Sequence, residues 1–265
     1  PSCAQPFQTR DGTASQAIRQ FGPPAVNAIK DELQKMLDLE VFSPTPPTTR
    51  VTSIIPCSMF LKPKFRGDGN FEKLKARLVA GGHRQSWDPE EDCSSPTVRW
   101  ETVLSALSVA SQHSLTITIA DVPSAYLQAP RLPTSEAVYM RINPEISSIL
   151  MELMEEWKRY LNSKGEIIVI LRKAMYGLKD SGLRFYEDLS DTLLRGGFNK
   201  SSIEPCLFIK STGTNMHSMV LCYVDDLLIV CKNELIAQEV LQLLESKYGE
   251  MTKQFGPSFS FVGTN

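Results

Sequence analysis

The sequence is poor in the features that mark membrane and secreted proteins. Its 265 residues contain no apolar run near the roughly 20 residues that a membrane-spanning helix needs, and no charged segment followed by an apolar one opens the chain. The six cysteines form no CxxC pair, which favours reduced, structural thiols. We therefore expect a soluble, intracellular protein that has no membrane partner.

The sequence also lacks an initiator methionine, and its last segment ends at Phe261–Asn265 without a closing signal. We therefore expect a piece of a longer polyprotein. The hydrophobic content of 42% is enough to bury a substantial core, either as one large domain or as two smaller subdomains.

Two adjacent carboxylates lie between apolar runs. Asp225 and Asp226 separate two strand-like segments, 218–223 and 227–231, so a hairpin would present both acids at its tip. Tight hairpin turns usually contain glycine, and the absence of glycine here predicts backbone strain. Aspartate is also common in ordinary solvated turns, so the pair alone does not establish a function.

A third carboxylate would join this pair in a suitable sheet. Asp121 lies at the end of the strand 115–122, where Pro123 stops regular pairing. With 145–171 set aside, the order strand, helix, two hairpin strands, helix, strand predicts an α+β fold, a split βαβ (ferredoxin-like) antiparallel sheet backed by helices. Such a sheet would place its first strand beside the acid hairpin, although a lone Asp at a strand end is more often a cap or turn former.

Three carboxylates without histidine or cysteine nearby would form an oxygen-only site. Adjacent carboxylates repel each other unless a cation neutralises them, and oxygen donors suit Mg²⁺. Two such ions can activate an attacking hydroxyl and stabilise a leaving pyrophosphate.

Positive charge is concentrated in one segment, although the whole chain has a net charge of only −2. Residues 62–84 contain seven basic side chains against two acidic ones. Two strands, 58–64 and 73–80, joined by a glycine-containing turn, would carry this charge on a hairpin. An anionic partner is one interpretation, and a merely solvated surface is equally consistent with the charge.

The remaining segments predict packing elements. Residues 1–22 carry no periodicity and are expected to be a disordered lead-in. Residues 145–161 have the spacing of one surface helix, and a final strand is expected to begin near Ser258.

Six strings occur in one order along the chain: KARLVA at 75–80, SPTVR at 95–99, DV at 121–122 with AYL at 125–127, VYM at 138–140, KAMYGLK at 173–179 and YVDD at 223–226. In this order and approximate spacing they resemble the reverse transcriptase of copia-type long-terminal-repeat retrotransposons. The resemblance extends from about Pro23 to the end.

This resemblance implies a right-hand polymerase, with 23–95 as fingers, 96–265 as palm and a thumb beyond Asn265. The implied activity is RNA-directed DNA polymerisation, the addition of deoxynucleotides to a primer 3′-hydroxyl with two Mg²⁺ ions, or Mn²⁺ in their place. The implied partners are a primed RNA or DNA template, deoxynucleoside triphosphates and the remaining Pol domains: thumb, ribonuclease H and integrase. The family is expected in cytoplasmic virus-like particles or in the nucleus.

The resemblance also implies roles for individual residues. The catalytic, metal-binding carboxylates would be Asp121, Asp225 and Asp226, with the carbonyl of Val122 as a further metal ligand. Nucleotide-binding positions would be Lys64, Arg77, Ser124, Ala125, Tyr126 and Gly177, with the Tyr126 ring excluding a ribose 2′-hydroxyl. Nucleic-acid contacts would be Lys62, Lys73, Lys75, Arg84, Tyr223, Phe261 and Gly263, of which the last two begin the primer grip. Pro123 replaces a frequent lysine but removes only its own N–H donor.

Two other functions remain open. A catalytically silent retroelement remnant, or a nucleic-acid-binding module, could keep the fold without the chemistry, although all three acids are present. Another two-metal enzyme on the same sheet, such as a nucleotide cyclase, is less consistent with the basic hairpin and with Tyr126.

Overall fold

The structure is a computed structural model that describes residues 14–51, 53–66, 68–86, 92–131, 137–212, 215–256 and 261. The α-helices of this part are α1 (Ala14–Phe21), α2 (Pro23–Asp38), α3 (Trp100–Gln112), α4 (Ala125–Gln128), α5 (Pro144–Leu153), α6 (Ser181–Arg195) and α7 (Glu234–Tyr248). Its strands are β1 (Phe42–Pro44), β2 (Ile54–Phe65), β3 (Phe71–Ala80), β4 (Thr116–Asp121), β5 (Tyr139–Ile142), β6 (Ile167–Leu171), β7 (Asn199–Lys200), β8 (Leu207–Thr212), β9 (Asn215–Tyr223), β10 (Asp226–Cys231) and β11 (Thr252–Phe255).

The chain divides into two compact units, each built from two separate stretches of sequence. The first contains residues 1–91 and 130–181, and the second contains 92–129 and 182–265. The predicted boundary at 95 does not coincide with the division between these units. Residues 130–181 belong to the first unit, because β5 and β6 pair with strands that lie about a hundred residues earlier in the chain. The names fingers and palm stay predictions.

The first unit is built on a five-stranded sheet in the order β1-β6-β5-β2-β3. β2 and β5 run parallel, and the other neighbours are antiparallel. Along the β2–β3 hairpin the side chains alternate as strand geometry requires, with Met59, Leu61 and Leu78 buried. Helices α1, α2 and α5 pack together, and α1 and α2 also contact the hairpin.

The second unit is built on a six-stranded antiparallel sheet in the order β11-β4-β10-β9-β8-β7. The predicted pairing of the first strand with the acid hairpin is confirmed, because β4 lies between β10 and β11. Helix α7 contacts β4, β9 and β10. Asn233 begins this helix by accepting a hydrogen bond from the backbone N–H of Ile236 at 3.0 Å, which satisfies one of its unpaired N–H groups.

Two predictions of local structure need correction. The expected lead-in 1–22 includes α1, whose residues Ala14 and Ala17 are buried. The expected single helix 145–161 is α5 followed by a separate 3₁₀ turn at Glu155–Tyr160. In that turn Trp157 packs edge-on against Phe42, with ring centroids 6.2 Å apart, so tertiary packing overrides the helical periodicity.

One strand, β11, was not predicted. β11 occupies Thr252–Phe255 and pairs with β4, earlier than the predicted start near Ser258, which lies outside the described residues. Among the described helices, none combines the length and the apolar character that a bilayer crossing requires.

Candidate functional site

The acid hairpin connects β9 and β10 through Val224 and Asp225. Tyr223 and Asp226 are the last cross-strand pair before this turn. Val224 has φ of 56°, a left-handed conformation that is costly for a β-branched residue, so the predicted strain is present. Buried strands on both sides of the turn fix the position of the acids.

The sheet brings Asp121 and Asp226 together. Asp121 has two direct cross-strand neighbours: Asp226 of β10 on one side and Thr252 of β11 on the other. Just beyond the strand, the backbone N–H of Val122 donates to the carbonyl oxygen of Asp225 at 3.0 Å. The predicted convergence of β4 with the acid hairpin therefore has a specific register.

The electrostatics at this strand end favour a bound cation. Burial, and then the charge of Asp225, raise the pKa of Asp226 above its ordinary value. Within the described ranges no three His, Cys, Asp or Glu side chains form a group arranged to hold a metal ion. The argument for a metal here therefore rests on the chemistry of the donor atoms. Carboxylate oxygens that repel one another suit a hard divalent ion.

The cysteines that flank the acids are structural, as predicted. Cys222 and Cys231 are buried and free. Burial raises the pKa of Cys231 to about 12 and raises that of Cys222 well above its ordinary value. These thiols therefore stay protonated near neutral pH, where they are poor nucleophiles and poor metal ligands.

The turn after β4 carries the residues predicted to bind a nucleotide. Ser124 has φ of 53° and ψ of 40°, and its carbonyl oxygen accepts from the N–H of Leu127 at 2.8 Å to begin α4. Ala125 is buried and Tyr126 is half-buried. The side-chain amide of Gln128 donates to the carbonyl oxygens of Tyr248, at 3.0 Å, and Pro123, at 3.4 Å, and so ties this turn to the end of α7. Nothing in the sequence pattern singled out Gln128.

The basic hairpin, β2–β3, carries its cations on one face. Lys62 lies opposite Lys75, Lys64 opposite Lys73, and Arg77 opposite Phe60. A cavity of about 450 Å³ on this face is lined by Phe60, Lys62, Pro63, Lys64, Lys75, Arg77 and Val79. Lys64 forms an ion pair with Glu72 at 3.1 Å. Concave, positively charged surfaces with apolar floors suit phosphate-bearing ligands.

The other predicted residues have varied environments. Gly177 has φ of 90° in a loop that crosses the base of the basic hairpin. Arg84 is exposed, and Tyr223 is 36% exposed at the end of β9. Phe261 is buried, and Gly263 lies outside the described residues. The roles assigned to all these residues stay predictions.

Comparisons with known proteins identify the family of this chain. A family described as "Reverse transcriptase (RNA-dependent DNA polymerase)" matches residues 55–265. The chain is 28% identical over 256 residues to the retrovirus-related Pol polyprotein from transposon RE2 of Arabidopsis thaliana, covering 92% of this chain and 16% of that protein. It is 27% identical over 213 residues to the corresponding polyprotein from transposon TNT 1-94 of Nicotiana tabacum, covering 78% and 14%.

A yeast relative extends the comparison beyond plants. The identity is 30% over 203 residues to the transposon Ty1-DR4 Gag-Pol polyprotein of Saccharomyces cerevisiae, covering 76% of this chain and 11% of that protein. The chain thus spans at most 16% of the length of these three relatives. With a family match over most of its length, the chain belongs to the reverse transcriptase (RNA-dependent DNA polymerase) family, in the group of copia-type retrotransposons.

Proposed function

We propose that this chain is the polymerase module of a retrotransposon Pol polyprotein and catalyses RNA-directed DNA synthesis. The observation that carries the proposal is the register that sets Asp121 opposite Asp226, with Asp225 on the adjacent strained turn. A sheet that gathers acids from two distant parts of the chain at one strand end suits phosphoryl transfer better than a solvated turn does.

The three carboxylates and the carbonyl of Val122 are the groups that would hold divalent metal. Bound Mg²⁺, with Mn²⁺ as the alternative ion, supplies Lewis-acid activation of the primer hydroxyl and charge neutralisation at the leaving pyrophosphate. The protein's own part is to hold its acids in place before the metal arrives. The buried strands β9 and β10 and the Val122–Asp225 hydrogen bond serve that purpose.

The second unit, with its antiparallel sheet and backing helices, is the proposed palm. In the turn that follows β4, the N–H groups of Ser124 and Ala125 are proposed to bind nucleotide phosphates, and the Tyr126 ring to exclude a ribose 2′-hydroxyl. The left-handed Ser124 shapes this turn, and Gln128 supports it.

The first unit contains the proposed fingers. Its basic hairpin would bind phosphates electrostatically, with Lys64 and Arg77 assigned to the incoming triphosphate and Lys62, Lys73, Lys75 and Arg84 to nucleic acid. The partners follow from this function: a primed RNA or DNA template, deoxynucleoside triphosphates, and the thumb, ribonuclease H and integrase domains of the polyprotein. The proposed site of action is a cytoplasmic particle or the nucleus.

Primer extension tests the proposal. The chain, and a longer Pol polyprotein that contains it, are incubated with an RNA template, a DNA primer, deoxynucleotides and Mg²⁺, with the Asp225→Asn variant as the matched control. Extension by the parent and none by the variant is expected. Binding of the primed template without extension by either length of protein would favour a catalytically silent module. Formation of cyclic nucleotide instead of longer primers would favour a cyclase.

A further inference from the structure

We infer that Tyr176 is a positioning residue that holds the guanidinium of Arg77 ready for the triphosphate of an incoming nucleotide. The guanidinium carbon of Arg77 lies over the Tyr176 ring, 5.3 Å from its centroid. This inference rests on the proposed function, because the triphosphate role of Arg77 belongs to it. The resemblance to copia-type reverse transcriptases implied a role for Gly177 but none for its neighbour Tyr176.

The backbone of Tyr176 is fixed by the crossing of two chain segments. The N–H of Ala80, at the end of β3, donates to the carbonyl oxygen of Tyr176 at 2.7 Å. Gly177, at φ of 90°, leaves no room for a side chain, because a Cβ there would overlap the carbonyl oxygen of Ala80. A Cβ on Gly82 would in turn overlap the carbonyl oxygen of Gly177. The two glycines therefore allow the loop and the hairpin to approach closely, and they hold the ring beside Arg77.

Arg77 itself depends on this ring. It lies on the exposed face of the basic hairpin with its guanidinium over this ring, whereas Lys64 is paired with Glu72. A long arginine side chain without a partner samples many rotamers, and restricting it to one of them when a ligand binds costs conformational entropy. Contact with the ring removes much of that freedom in advance.

The mode of contact leaves Arg77 able to bind an anion. A cation–π contact with the ring involves no hydrogen-bond acceptor atom, so it leaves most of the five N–H donors of the guanidinium available to a ligand. A triphosphate can therefore accept hydrogen bonds from Arg77 while the ring stays in place. An ion pair with a carboxylate would instead occupy the same donors.

The test is a double-mutant cycle on dTTP binding. Dissociation constants of dTTP in the presence of Mg²⁺ are measured by calorimetry for the 265-residue chain and for the Tyr176→Leu, Arg77→Ala and combined variants. Tyr176→Phe is the matched control, because it keeps the ring and removes only the hydroxyl. Tyr176→Leu is expected to weaken binding about threefold to tenfold, the range of a partly exposed cation–π contact, and Tyr176→Phe to bind like the parent.

Coupling distinguishes positioning from a general loss of structure. In the Arg77→Ala background, Tyr176→Leu should cause no further weakening, because the group that it positions is already gone. The Nε–H proton resonance of Arg77 should carry an upfield ring-current shift in the parent and in Tyr176→Phe, and lose it in Tyr176→Leu. If Tyr176→Leu does not fold, Tyr176→Met takes its place in the cycle.

Two results would overturn the inference in different ways. Equal weakening by Tyr176→Leu with and without Arg77 would show that the ring acts independently of the guanidinium. Unchanged dTTP binding by Arg77→Ala would remove the triphosphate role of Arg77 and the inference with it. Primer extension tests the acid site separately. If the parent extends primers and Tyr176→Leu binds dTTP normally, the positioning role is refuted and the proposed function stands.

Discussion

Two hairpins of the described structure, one in each unit, have opposite chemistry. The acid hairpin (β9–β10) is buried through residues 218–222 and 227–231, and its tip carries the exposed Asp225. The basic hairpin (β2–β3) buries one face and exposes the other along its length, and its turn uses Gly69 at φ of 81° instead of a strained valine. One hairpin presents charge at a point and the other along a surface.

This difference fits the roles proposed for the two hairpins. Carboxylates that would share a small cation need positions fixed to a fraction of an ångström, and strands buried on both faces supply that rigidity. Cations that would attract a phosphate chain act over several ångströms, so an amphipathic hairpin with exposed lysines is sufficient. Replacing single residues in each hairpin should therefore have contrasting effects.

The largest expected effect is on catalysis. Asp121→Asn should reduce primer extension by at least about a thousandfold, equivalent to about 4 kcal/mol, because it removes charge from the proposed metal site. Thermal unfolding without metal should be unchanged or shifted slightly upward, since a repelling charge is lost. Extension near the parental rate would exclude Asp121 from the site.

The next effect concerns stability. Leu228 is fully buried in the acid hairpin. Leu228→Ala should lower the free energy of unfolding by about 2–5 kcal/mol, because the substitution leaves a cavity. Lys73→Ala, on the exposed face of the basic hairpin, should change it by less than about 0.5 kcal/mol. Urea unfolding of both variants measures the contrast, and similar values for the two would contradict it.

Nucleic-acid binding should depend on the basic hairpin. If three to five phosphate contacts form there, the log–log slope of affinity against salt should be about −3 to −5. Neutralising Lys73, Lys75 and Arg77 together should flatten this slope by about two to three. The matched control neutralises Lys158, Arg159 and Lys164, which are exposed elsewhere in the same unit. An equal change in both triple variants, measured by filter binding, would show only a general charge effect.

A smaller effect is expected from the strained turn. Val224→Gly relieves a left-handed conformation that costs about 1–2 kcal/mol, but ordering the more flexible glycine costs about 0.5–1 kcal/mol, so stability should rise by at most about 1.5 kcal/mol. Val224→Ala keeps the positive φ and serves as the control. A rise in unfolding free energy for alanine as large as for glycine would argue against strain.

The smallest effect is a dependence on pH. The pKa of Asp226 in the folded chain is raised above 3.8, so the folded state binds more protons than the unfolded state in the interval above that value. This group's contribution to stability is therefore complete below about 3.8 and is lost as the pH rises through the folded-state pKa. Asp226→Asn should remove that loss. The difference between the two chains, followed by chemical denaturation without metal, should grow with pH through this window and then level off.

The sequence predicted the acid hairpin because its signals are local. Alternating turn and apolar segments define β9 and β10, and the lack of glycine correctly indicated strain at Val224. The position of Asp121 beside the acid hairpin was predicted from the order of the elements, since a split βαβ order leaves few places in the sheet for the first strand. The side-chain cap by Asn233 also depends on local sequence, because its partner Ile236 lies three residues later.

Apart from the pairing of β4 with β10, features that depend on distant contacts were not predicted. The sheet of the first unit joins β1 and β2 to β5 and β6, and no periodic pattern encodes a pairing across about a hundred residues. The break after Leu153 arises from the packing of Trp157 on Phe42. Gln128 and Tyr176 act through partners far along the chain, although the position of Tyr176 beside Gly177 was a signal that could have been used.

The alternating assignment of chain segments to the two units has a consequence for biosynthesis. As the chain leaves the ribosome, the first unit cannot complete its sheet until β6 has emerged, and by then β4 of the second unit has already been made. From its own synthesis onward, β4 must remain without its neighbour β10 while residues 122–225, about a hundred, are translated. At about 5–20 residues per second this wait lasts from several seconds to about twenty, a period in which an unpaired apolar strand is exposed to aggregation or to chaperone capture.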